Sequence, residues 1–172
     1  MCGFHEAIKS KYLRMNIDYE NLSPEMMQLA VAVFLIRLVV WAFYANTVRK
    51  TLTCVSPENR LMTPSQAWLL VIPLFNIYWN FSVASRVADS LTNEFYDRKI
   101  AEEENPGRMI GRWYAWLFLL SSFPLPAFIL VTLGLLSIIY FVGYWVKVNN
   151  FRNLLLEHEK QKGNQQTDDE TP

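Results

Sequence analysis

The chain has 172 residues, 52% of them hydrophobic and 15% aromatic, with 16 Lys and Arg against 16 Asp and Glu. A formal net charge of zero gives no electrostatic argument for a nucleic-acid partner. Cys2 and Cys54 lie far apart, in no CxxC or Cys/His pattern, and read as ordinary unpaired thiols. The mean hydropathy is only slightly positive because charges crowd into connectors and ends, leaving long apolar stretches between them.

Residues 1–24 are polar to amphipathic and carry no cleavable signal-peptide pattern, so they read as a cytoplasmic N-terminal segment. Ser23-Pro24-Glu25 has the residues of a helix start: a capping hydroxyl, proline at the first position and an acid in the first turn. The apolar segment that follows, about residues 26–46, is long enough at ~1.5 Å per residue to cross a hydrocarbon core of ~30 Å. Arg37 stands near its middle, where a charge is costly unless sheltered or used.

Residues 47–64 form a connector with turn-forming Pro57, Asn59 and Pro64. A second crossing is expected over residues 65–85, kinked at Pro73, with no charge from 61 to 85. Beyond it Val83, Val87, Leu91 and Phe95 recur every four positions, which predicts an amphipathic cytoplasmic extension ending at Pro106-Gly107. Asp89, Glu94, Asp97 and Arg98 read as a salt-bridged exposed face of that extension, and Glu102, Glu103 and Glu104 as solvated acids.

Residues 113–146 contain no charge and as one straight helix would measure ~51 Å, too long for a single crossing. The Phe123-Pro124-Leu125-Pro126 break predicts two antiparallel crossings, about 108–123 and 127–148, with a kinked or re-entrant segment as the rival for the shorter one. Residues 156–172 lack apolar content and read as a disordered polar tail. The expected fold is therefore an all-α integral membrane bundle of four transmembrane helices within residues 25–155. Apart from Arg37, the connector holding Arg49, Lys50 and Arg60 takes few of the cations. The rest fall on the side of both termini, which the positive-inside rule places in the cytoplasm.

Arg37 is the sharpest candidate for function. None of the crossings supplies a carboxylate, so Asn76 and Asn80, one turn apart, together with the Leu69 carbonyl freed by Pro73, are its expected partners. The cluster has a structural reading, a lock between the first two helices, and a functional one, an anion or lipid-headgroup site. Trp68, Tyr78, Trp79, Trp113, Trp116, Tyr144 and Trp145 suit an interfacial aromatic belt, and Gly134 and Gly143 are candidates for close helix contact. No metal-binding histidine motif, nucleophile elbow or phosphate-cradling glycine loop is present, so neither an enzyme, a metal nor a cofactor is expected.

The stretch from Ser56 to Arg98, with Pro57, Arg60, Met62, Pro64, Trp68, the IPLFN segment 72–76, Trp79, Asp89-Ser90-Leu91, Glu94-Phe95 and Arg98, resembles a domain-of-unknown-function family of small bacterial integral membrane proteins. Pro106-Gly107 and Tyr144-Trp145-Val146-Lys147 are similar as well. The resemblance implies a multi-pass protein of the bacterial cytoplasmic membrane and brings no activity or ligand. The expected role is a non-enzymatic interaction or scaffold component, partnered by the bilayer and by copies of itself or other membrane proteins. The alternative is an oligomeric small-molecule, lipid or ion binding or translocating protein built on Arg37, Asn76 and Asn80.

Overall fold

Ser23 opens the first helix as its sequence requires: its hydroxyl accepts the Met26 N–H at 3.3 Å and its carbonyl the Met27 N–H at 3.2 Å. The helix, α1, runs Pro24–Thr53, beyond the predicted end near residue 46. The structure is a computed structural model that describes residues 23–100 and 105–169. Most of the N-terminal segment, Cys2, Glu102, Glu103, Glu104 and the last three residues lie outside them. The described residues are helical, without a strand. The chain divides into two units, Met1–Leu38 and Val39–Pro172. In the first, α1 exposes Leu29, Val33, Leu35 and Ile36.

The second unit begins with the rest of α1, a 3₁₀ turn at Pro57–Asn59 and a 3₁₀ helix at Pro64–Val71. α2 follows over Phe75–Asp97, α3 over Arg108–Leu120 and α4 over Ala127–Asp169. The segment expected as one kinked crossing, residues 65–85, is a hairpin. Pro73 sits in the turn between its arms, and Leu74 takes the left-handed φ of 65° that reverses the chain. The two arms are antiparallel: Leu61 N–H donates to Ser90 Oγ at 2.9 Å, and Trp79 Nε1–H to the Gln66 carbonyl at 3.1 Å. The Leu69 carbonyl, expected to be freed by Pro73, accepts the Ile72 N–H at 3.3 Å.

The face of α2 that packs inward carries Asn76, Trp79, Asn80, Val83, Ala84, Val87, Leu91 and Phe95. Its C-terminus closes with Lys99 in the left-handed region, Lys99 N–H on Tyr96 O and Ile100 N–H on Phe95 O, a Schellman arrangement. Gly107 starts α3, and Gly111 lies where α2, α3 and α4 meet. A Cβ there would fall 2.8 Å from Ala84 Cβ and 2.8 Å from Tyr144 Cε2. Gly134 and Gly143, expected at close contacts, have open space beside them.

α3 and α4 are antiparallel, joined by residues 121–126, as the proline break predicts. With 13 residues, α3 is ~20 Å long, shorter than a hydrocarbon core. α4 continues helical to Asp169, into the segment expected to be a disordered tail. Extension from a formed helix needs no nucleus, so a polar sequence can be carried along. Large aromatic rings hold α1 to α3 and α4. Trp41 meets Tyr114, Phe118 and Phe141, Tyr44 meets Phe141 and Tyr144, and Trp145 Nε1–H donates to Thr47 Oγ1 at 2.9 Å. Thus Tyr144 and Trp79 are core residues, while Trp68, Tyr78, Trp113 and Trp116 remain on the surface where the belt was expected. These pairs run in step, Tyr44 with Phe141, Thr47 with Trp145, so this half of α1 and α4 point the same way.

Candidate functional site

The most highly organised polar site gathers at the C-terminal ends of α1 and α2. Glu94, expected on an exposed face, is 1% exposed. Its carboxylate accepts the Ser56 N–H at 2.9 Å, the Ser56 hydroxyl at 3.0 Å, Asn59 Nδ2–H at 2.9 Å and Arg98 Nε–H at 2.7 Å. Local sequence explains the placement. On α2 the positions 76, 80, 83, 87, 90 and 94 follow a three-and-four spacing that keeps them on the inward face. Asn59 also donates to Asp97 at 2.7 Å, and Asp89 pairs with Arg108 at 2.8 Å nearer solvent.

Arg98 extends the site across three segments. It donates to the Cys54 carbonyl at 3.0 Å, to Glu159 at 3.1 Å and to the Leu155 carbonyl at 3.4 Å. The connector after α1, the end of α2 and the C-terminal part of α4 therefore share one end of the unit, whereas the four-crossing reading places the connector on the opposite side from the other two.

The chemistry of this arrangement is that of a clamp. Burial alone would raise the Glu94 carboxyl, but the hydrogen bonds from Asn59, the Ser56 backbone, Arg98 and the Ser56 hydroxyl outweigh it and hold the group below its ordinary value of 4.5. Four donors occupy the carboxylate, leaving it no lone pair aimed at a substrate. Burial, then Glu159, raise the Cys54 thiol against the opposing Arg152 and Arg98, so the sulfur stays protonated and is a poor nucleophile. Among the described residues no group of His, Cys, Asp and Glu could hold a metal ion.

The sequence-predicted residues fall in different places. Asn76 and Asn80 come together on one face of α2 and are buried at 3% and 2% exposure. Both amide atoms of Asn80 lie in the interior without a hydrogen-bond partner, a costly arrangement in an apolar bundle. Arg37 is on the exposed surface of α1 in the first unit, whereas both asparagines belong to the second. Sequence reasoning missed Ser56, Asn59 and the burial of Glu94. The available signal was the inward spacing on α2, hidden by reading every acid as solvated.

Comparison with family models, curated proteins and solved structures gives no match. Two helices, Pro24–Thr53 and residues 127–164 of α4, are long and apolar enough to cross a membrane by length and composition.

Proposed function

We propose that the chain is a non-enzymatic, multi-pass protein of the bacterial cytoplasmic membrane that acts as an interaction or scaffold component. The observation that carries the reading is the contrast between its two kinds of surface. Along α4, Phe128, Val131, Leu135, Ile138, Ile139 and Val142 are exposed, an apolar face far larger than soluble monomers tolerate. At the clamp end Arg98 and Arg108 gather instead with their carboxylate partners Glu94, Glu159 and Asp89.

In this reading the charge-free part of the hairpin, residues 64–85, enters the bilayer and returns, and α1, α3 and α4 make the crossings, α3 with help from its flanking connectors. Arg49, Lys50, Arg60, Arg86, Arg98 and Arg112 then face one side, and the opposite connectors, residues 72–74 and 121–126, carry no charge. The positive-inside rule puts the clamp in the cytoplasm.

Single cysteines at Glu58, Tyr96 and Glu157, in a background lacking Cys2 and Cys54, test this with a membrane-impermeant thiol reagent on intact and opened cells. All three positions are expected to react only after opening. Reaction of position 58 alone in intact cells would restore the four-crossing arrangement. A second reading, binding of a lipid or small anion, is favoured by one further feature of the hairpin.

A further inference from the structure

Beside the clamp, where the chain enters the hairpin, a cleft of about 400 Å³ opens between the 3₁₀ segments and α2. Arg60, Thr63, Gln66 and Arg86 supply its polar lining and Leu61 and Pro64 part of its apolar wall, and no Asp or Glu lines it. Among the described residues neither arginine takes part in an ion pair.

Both cations are held in place without being neutralised. Arg60 donates from Nε to the Val55 carbonyl at 2.8 Å and from Nη2 to the Thr53 carbonyl at 3.2 Å. Those neutral acceptors fix the guanidinium plane and leave its charge and its other terminal nitrogen available. Arg86 lies over the Trp79 ring at 5.6 Å, and that ring is pinned by its bond to the Gln66 carbonyl. Two guanidinium groups lining one cleft with no carboxylate favour an anion there, and their several donors suit a phosphate with three or four oxygens better than a single point acceptor. From the cleft toward the hairpin turn, Leu61, Trp68 and Ile72 present an exposed apolar strip along the 3₁₀ segment.

We propose that this cleft binds a phosphate group through Arg60 and Arg86, carried either by a lipid headgroup whose chains lie along the Leu61–Trp68–Ile72 strip or by a free phosphate. The site is independent of the scaffold reading, because a catalytic or a structural protein could equally carry it.

The test uses the full-length protein in a non-ionic maltoside micelle, titrated calorimetrically with dihexanoyl phosphatidic acid, inorganic phosphate and dihexanoylglycerol. Phosphatidic acid is expected to bind and dihexanoylglycerol not. Inorganic phosphate that competes with it identifies the phosphate alone as the ligand, and failure to compete identifies the lipid form. Arg86→Gln, on an exposed position of α2, is expected to weaken binding by about tenfold or more, and Arg112→Gln, outside the cleft, to leave it within about twofold. Arg60→Gln removes two carbonyl bonds and can cost folding, so Arg86→Gln decides the matter alone if that variant is lost. Equal binding by wild type and Arg86→Gln, equal losses in Arg86→Gln and Arg112→Gln, or no binding of either phosphate probe overturns the assignment.

Discussion

Removing the Glu94 carboxylate should destabilise the second unit more than any other single truncation at the charged end. Glu94→Ala strips the acceptor from four bonds of 2.7–3.0 Å at a side chain 1% exposed. Hydrogen bonds to a charged group contribute ~1.5–3 kcal/mol each but do not add, and breaking a buried ion pair costs ~3–5 kcal/mol. Arg98 keeps the Cys54 and Leu155 carbonyls and Glu159, which softens its isolation, and Asn59 keeps Asp97. The Ser56 N–H keeps nothing comparable. The expected loss is therefore about 3 kcal/mol, a large share of a total stability of ~5–15 kcal/mol.

Glu94→Gln retains one acceptor oxygen but turns an amide NH2 donor toward other donors, and should cost about 2 kcal/mol. Equilibrium unfolding in mixed micelles of rising dodecyl sulfate fraction measures both, with trypsin cleavage in the 54–63 connector as a local readout. A Glu94→Ala protein within about 0.5 kcal/mol of wild type, with the connector still protected, would show that the clamp is ornamental and sink the argument.

Two further outcomes follow from the same geometry. Because hydrogen bonds hold the folded Glu94 below its ordinary value of 4.5, its contribution is present above that pH and is lost as pH falls through the folded value; an acid titration of stability should slope downward below about 4.5, and Glu94→Gln should flatten it. Gly111→Ala should cost ~1–3 kcal/mol by overpacking, since the new Cβ meets Ala84 and Tyr144 at 2.8 Å; thermal unfolding in detergent would detect it, and an unchanged midpoint would mean that the three helices do not meet there.

Some of this architecture is readable from residue type and some is not. Ser23-Pro24 marks the start of α1 because capping is local, and the prolines at 124 and 126 separate α3 from α4 for the same reason. The hairpin was missed because a charge-free run of bilayer length looks identical whether the chain passes through or doubles back. The difference lies in Leu74, a residue with no propensity for left-handed φ, and in Trp79 reaching thirteen positions back to Gln66. Glu94 illustrates the second limit: charge patterning alone marks it as solvent-facing, and only the tertiary approach of Ser56 and Asn59 makes burial affordable. Asn76 and Asn80 were legible as one face of a helix, while the absence of a partner for Asn80 was not, since that depends on what the other helices present.

The doubling back at Pro73 and Leu74 also bears on how such a chain could be made. Residues 61–85 contain no formal charge, and both ends of the hairpin are tied to the same clamp. Seating it in a bilayer would carry across only the uncharged turn at residues 72–74 and no ionised side chain. On the membrane reading proposed above, it can be seated against helices already inserted, with Ser56 and Asn59 closing on Glu94 over its two ends.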